Sequence, residues 1–145
     1  MLVQDIEIAK QQLYDKHLTL AIAKDGNILF QTDSHRISGF MRAIEELGTQ
    51  LSGASVADRV AGKALALLCV FAEIREVYAE VLSKKAQAIF EANNVTLHWK
   101  QLVDNVLDLN KVGVCPFEKV AAEISDPKKS FTAFKDLREK MKPCE

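Results

Sequence analysis

Between Lys63 and Glu73 runs Ala64-Leu65-Ala66-Leu67-Leu68-Cys69-Val70-Phe71-Ala72, with no polar side chain in it. A helix of this run is about 13 Å long, well short of the roughly 30 Å of a bilayer core. It cannot span a membrane, and a helix apolar on nearly every side has no face to offer water. The chain must therefore enclose it, with a sheet on one side and further elements on the other. Such a helix fits a layered α/β domain, which the order of the other elements, a hairpin followed by helix, strand, helix and strand, argues for.

The rest of the sequence supplies the layers. Ile6, Ala9, Leu13 and Tyr14 give helical spacing over about residues 3–16. His17 to Ala23 alternates and reads as a strand. Lys24-Asp25-Gly26-Asn27 follows, and Asp-Gly is a strong hairpin signal because glycine accepts positive φ. Ile28 to Gln31 is the return strand. The loop Thr32-Asp33-Ser34-His35-Arg36-Ile37-Ser38 leads to a helix carrying Phe40, Met41, Ile44, Leu47 and Leu51, closed by a polar breaker over 48–55. A long helix is then expected from Ala57-Asp58-Arg59-Val60-Ala61-Gly62-Lys63-Ala64 onward through the apolar run. Val77 to Val81 reads as a strand, 83–93 as a helix and Val95 to Trp99 as a strand. Leu102, Val103, Val106 and Leu107 suggest a short helix. Two more helices start at Pro116 and Pro127, where a missing N–H is no loss. The last carries Phe131, Phe134, Leu137 and Met141 on one face, which is expected to pack on the body; a partner-binding or assembly face is the alternative. No repeat, linker or low-complexity tract divides the chain. A single domain over 1–145 is expected, with 126–145 as a C-terminal helical extension.

Composition narrows the function classes. Nineteen Lys and Arg face 20 Asp and Glu, a net charge of −1, which gives no electrostatic case for nucleic acid or acidic lipid. The N-terminus has acidic residues early and lacks the apolar centre of a signal peptide. Cys69, Cys115 and Cys144 are odd in number and far apart, so a disulfide framework is not expected and a reducing cytoplasm is. His17, His35 and His98 have no metal-ligand spacing with each other or with a cysteine. Neither a metal site nor a cofactor is expected.

Two motifs invite a functional reading. The first, Ala57 to Ala64, ends like a phosphate-binding loop. A P-loop needs GxxxxGK[ST] between strand and helix. Here Ala57 stands in place of the first glycine and Ala64 in place of the hydroxyl, so Walker-type ATPase activity is rejected. Ser55 and Asp58 fit a capping box, and Arg59 and Lys63 would share one helical face. Gly62 inside a helix would cost about 1 kcal/mol against alanine, so close approach of another group is expected there. The helix start could also hold an anion on its free amides. The second motif is Cys115-Pro116-Phe117-Glu118. Glu118 falls where a first-turn carboxylate suits the helix dipole, and Cys115 at a helix N-terminus would have a lowered thiol pKa. Asp126-Pro127 reads as plain capping. His35 is the one histidine in a polar loop.

Residues 57–68 (ADRVAGKALALL), then VYAEVLSKKAQAIFEANNV, then CPFE resemble the DUF1893 family of small bacterial proteins, over about residues 5–125. The resemblance implies the cytidine deaminase-like fold: three layers α/β/α, with a mixed sheet of four to five strands and an N-terminal hairpin. Zinc deaminases carry H-x-E at one helix start and P-C-x-x-C at the next. Set against them, Val56 to Asp58 lacks the histidine, with Asp58 in the glutamate's place, and Ser83-Lys84-Lys85-Ala86 lacks the cysteines. The resemblance thus implies a protein without zinc chemistry. What remains is a pocket at the two helix starts. Asp58, Arg59, Gly62, Lys63 and Ser83 are expected to cluster there, with Cys115 and Glu118 closing one side.

The expected function is binding of a small anionic or nucleotide-like ligand, or of a partner, without deamination. An enzyme using Cys115 as nucleophile or redox thiol, with Asp58 or Lys63 in acid/base roles, is the alternative. No nucleic acid or membrane partner is expected, and the edge strand of the hairpin leaves a homodimer open.

Overall fold

The structure, a computed structural model, describes residues 4–34, 37–104 and 116–141. The chain opens with helix α1 (Asp5–Asp15) and the hairpin of β1 (Leu20–Lys24) and β2 (Asn27–Thr32). Asp25 and Gly26 both take positive φ, 53° and 83°, as Asp-Gly predicts for a tight hairpin. Helix α2 (Ser38–Leu47) and a short 3₁₀ turn (Gly48–Leu51) lead to β3 (Ser55–Ala61). Then come α3 (Lys63–Phe71), β4 (Glu76–Ser83), α4 (Lys84–Ala92) and β5 (Thr96–Val103). After the undescribed stretch, α5 (Pro116–Ala121) and α6 (Pro127–Met141) finish the fold.

The five strands form one mixed sheet in the order β2-β1-β3-β4-β5. β1 runs antiparallel to both β2 and β3, while β3, β4 and β5 are parallel. Helices cover both faces. Alternation along β1 shows why. Leu20 and Ile22 point into the main core, whereas Ala21 and Ala23 point to the other face with Ala57 and Tyr78. The small residues let α1 lie close on that second face through Ile6, Ala9 and Leu13, all buried. The main core holds α3, enclosed as its composition requires: Ala64 to Cys69 are all buried. α6 covers α3 from outside, with Phe134 fully buried and Phe131 stacked on Phe71 at 5.5 Å. Arg138 of α6, itself buried, makes a two-pronged bond to Glu45 of α2 at 3.0 and 2.8 Å.

The main departure from expectation lies at residues 55–61. The sequence predicts a polar breaker up to Ser55 and a helix from Ala57; the chain forms β3, the strand between β1 and β4. The capping box of Ser55 and Asp58 does not form, and Arg59 and Lys63 do not share a helical face. Helical propensity in Ala57-Asp58-Arg59 is overridden by two ladders, Ala21↔Ala57 on one side and Ala57↔Tyr78 on the other. A buried helix between two parallel strands needs a strand before it as well as after it, and Val56 and Val60 are the β-branched residues that mark it. Leu102 and Val103 likewise belong to β5, not to a short helix; Val106 and Leu107 lie outside the described residues. Among the described residues no helix is long and apolar enough to cross a membrane.

Candidate functional site

Two helices start where parallel strands end. β3 hands over to α3 at Gly62, and β4 hands over to α4 at Ser83. In open α/β sheets this edge, outside the carboxyl ends of the strands, is where crevices form and free backbone amides point outward.

At α4 the amides are served locally. Ser83, buried at the N-cap, accepts from Ala86 N–H at 3.1 Å. At α3 no side chain of the helix's own cap does so. Glu118 arrives instead from α5, 55 residues along the chain. Its Oε2 accepts from Lys63 N–H and its Oε1 from Ala64 N–H, both at 3.0 Å. Gly62 makes room for it: a Cβ there would overlap the Glu118 carboxylate, with Cδ only 2.6 Å away. The glycine that looked costly inside a helix is the N-cap of one, and the close approach expected of it is to Glu118. Burial pushes the Glu118 carboxyl above its ordinary value, while the two amides and the Lys85 and Lys63 ammonium groups pull it down. Lys85 was not singled out in the sequence. Its signal was its place, two residues after a serine N-cap.

Asp58 and Arg59 depart from the expected cluster. Asp58 sits within β3, paired with Leu20 and Ala79 of the main core, and so faces the α3 side. Its Oδ1 accepts from Val60 N–H at 3.1 Å. Burial raises its carboxyl to about 7, against the pull of the Val60 and Arg59 amides and the Arg59 charge. Burial, above all, and the Asp58 charge push the neighbouring Cys69 thiol well up. Val56 to Asp58 is therefore a strand segment and cannot stand for a helix start.

Arg59 projects to the opposite face. Its Nε donates to Leu18 O at 2.9 Å, Nη2 to Leu13 O at 3.2 Å and Nη1 to Glu80 at 3.0 Å. Its guanidinium lies 4.6 Å from the Tyr14 ring centre. The Tyr14 hydroxyl donates to Glu80 at 3.0 Å and meets the Tyr78 hydroxyl at 2.6 Å. Burial, then these neighbours, raise the Tyr14 phenol above its ordinary range. Arg59 thus ties the end of α1 to the sheet and takes no part in the cleft.

The structure brings Gly62, Lys63, Ser83 and Glu118 to one edge of the sheet, with Lys85 added. Cys115 and His35 lie outside the described residues. The helix starts at Lys63 and Lys84 carry glycine and serine caps, with no histidine or cysteine within two residues of either. Among the described residues no three His, Cys, Asp or Glu side chains gather where a metal ion could sit. A groove of about 420 Å³ opens at the far end of the sheet, lined by Asp5, Asp25, Ser55, Arg75 and Glu76 among others. Asp5 there accepts from the Asp25 and Gly26 amides and pins the hairpin to α1.

The class defined by these observations is a three-layer α/β domain whose mixed sheet opens a polar edge at the ends of parallel strands. Within that class the assignment is specific: residues 8–138 match the family model for the domain of unknown function DUF1893, and the chain belongs to that family. A DUF1893 family protein from Thermotoga maritima has a similar structure, with a TM-score of 0.82 at 21% identity over 94% of this chain and 92% of that one. At that identity the likeness concerns the fold. A diaminohydroxyphosphoribosylaminopyrimidine deaminase/5-amino-6-(5-phosphoribosylamino)uracil reductase from the same organism matches with a TM-score of 0.46 and 15% identity. That match covers 66% of this chain and 35% of the other. No curated protein matches the sequence.

Proposed function

We propose that the edge formed by Gly62-Lys63-Ala64 and Ser83-Lys84-Lys85 binds a small anionic or nucleotide-like ligand, and that the protein does not deaminate. The observation that carries this reading is the carboxylate held across two amides of α3. The cradle already binds an anionic group, one supplied by the chain itself. Lys63 and Lys85 add positive charge from two helices, so the edge suits a phosphate or carboxylate better than a neutral molecule. The order of hairpin, helix, strand, helix, strand, helix, strand supports a deaminase-like ancestry for the fold.

The test is a thermal-shift series with inorganic phosphate, nucleoside monophosphates and cytidine, run beside a cytidine deamination assay. The reading expects phosphate-bearing compounds to raise the melting temperature, cytidine to leave it unchanged, and Lys63→Ala with Lys85→Ala to abolish the rise. Turnover of cytidine, or a shift that survives the double substitution, would sink it.

A further inference from the structure

The groove of about 420 Å³ at the far end of the sheet lies between the first turn of α1, the hairpin turn and the first residues of β3 and β4. Its volume suits a small molecule, for which pockets of about 300–1,000 Å³ are usual. Two of its buried side chains have bonding capacity left over. Ser55 and Glu76 pair across the β3–β4 ladder. They share the α1 face with Ala57 and Tyr78, two residues further along each strand. Ser55 is only 3% exposed, yet no described residue bonds its hydroxyl. No side-chain polar atom among the described residues is both sealed from solvent and unpaired, so this hydroxyl opens into the groove that Ser55 lines. A polar group buried that deeply is costly unless something in the groove meets it. Glu76 is buried too. Its Oε2 meets His98 Nε2 at 2.7 Å, while Oε1 has no partner among the described residues. Beside them stands Arg75, exposed, with a guanidinium that no described residue engages.

The charges decide what fits. Asp5, Asp25 and Glu76 outnumber Arg75, so the groove favours a cation. The spread of the carboxylates decides which kind. A calcium ion takes roughly six to eight converging oxygens. Among the described residues no three His, Cys, Asp or Glu side chains gather that way, and Asp5 is already held by the Asp25 and Gly26 amides. An organic ammonium group is satisfied by a carboxylate and a hydroxyl, which Glu76 and Ser55 present side by side. The unengaged guanidinium of Arg75 suits a carboxylate on the same molecule.

We propose that this groove binds a small basic amino acid, with an ammonium group on Glu76 and Ser55 and the carboxylate on Arg75. The excess of acidic side chains is what selects a ligand with net positive charge over a neutral or acidic one. The site is independent of the edge at Lys63 and Lys85, which lies at the opposite end of the strands.

The experiment titrates the ¹⁵N-labelled full chain at pH 7 and fixed ionic strength with L-lysine, cadaverine (lysine without its carboxylate), L-glutamate and sodium chloride. Lysine should move the Gly26, Ser55 and Glu76 amides and leave those of Lys63 and Ala64 in place. Cadaverine should bind about tenfold more weakly, and glutamate and salt should leave all these amides unmoved. Arg75→Gln, a change at an exposed side chain, should weaken lysine about tenfold and leave cadaverine as it was. Ser55→Ala should weaken both by about fivefold. No response to lysine at these amides overturns the site, as does an equal response to glutamate or to salt. Cadaverine binding as tightly as lysine, or Arg75→Gln leaving lysine affinity unchanged, overturns the amino-acid assignment. None of these outcomes touches the anion-binding reading, whose amides are those of Lys63 and Ala64.

Discussion

The two faces of the sheet handle buried charge in different ways. Under α1, Arg59 is matched on every side: two backbone carbonyls, the Glu80 carboxylate and the Tyr14 ring take up its guanidinium. Glu80 in turn receives the Tyr14 hydroxyl. On the other side, Glu118 and Asp58 are carboxyls that burial pushes upward, with backbone amides as their hydrogen-bond partners among the described residues. The first arrangement is closed and carries no spare capacity for a ligand. The second keeps ionisable groups away from their ordinary state, which is where functional sites concentrate. In both arrangements the polar atoms find partners; the difference is that side chains and carbonyls enclose the charge of Arg59, whereas backbone amides meet the carboxyls of Glu118 and Asp58.

Substitutions test this contrast, beginning with the largest effect. Arg59→Ala leaves two carbonyls and Glu80 without their donor and loosens the end of α1; urea unfolding should show a loss of about 2–4 kcal/mol. A loss below about 0.5 kcal/mol would make Arg59 an idle surface group and end the contrast. Gly62→Ala drives a methyl group into the Glu118 carboxylate. Alanine is otherwise acceptable at that extended backbone, so the cost is the collision, about 1–3 kcal/mol. Combining it with Glu118→Ala should recover most of that loss, which a double-mutant cycle reads directly.

Asp58 gives a pH signature. Its folded pKa of about 7 lies above the ordinary carboxyl value, so the folded state holds the proton more tightly than the unfolded one. Its contribution is favourable below pH 4 and is lost as pH rises through about 7. Asp58→Asn should therefore gain stability relative to wild type at pH 8, by about 1–2 kcal/mol after allowing for partial solvent access, and little at pH 4. The reverse ordering in melting curves would place the carboxyl in a charge-stabilising site. The smallest effect belongs to Glu118→Gln. Burial raises this carboxyl too, so its ionisation also opposes folding as pH climbs from the ordinary glutamate range. Removing the charge relieves that cost but loses one of the two amide bonds, because the new NH2 group cannot accept, for a net change within about 1 kcal/mol at neutral pH and a flatter pH profile.

Much of this architecture can be read from short stretches. The Asp25-Gly26 turn, the Ser83 cap and Asp126-Pro127, where Asp126 Oδ1 accepts from Lys128 N–H at 2.9 Å, all rest on neighbours within three residues. The enclosure of α3 was legible because nine apolar residues exclude water whatever surrounds them. β3 was not legible. Its residues form helices readily, and what makes them a strand is pairing with Leu20 to Ala23 and with Glu76 to Leu82. The candidate site was half legible. Gly62, Lys63, Ser83 and Glu118 stood out by their residue types, but Arg59 was assigned to the wrong face because a helix was assumed where a strand alternates.

Local chemistry alone thus determined the hairpin turn, the Asp126 cap and the buried helix, since each depends on torsional preference, on a neighbouring amide or on apolar area removed from water. Tertiary structure alone decided that Ser55–Ala61 is extended, that Arg59 and Lys63 serve opposite faces, and that Glu118 crosses 55 residues of chain to cap α3. Those outcomes depend on hydrogen bonds between distant segments, whose strength is set by which strands and helices become neighbours and not by the residues that flank them.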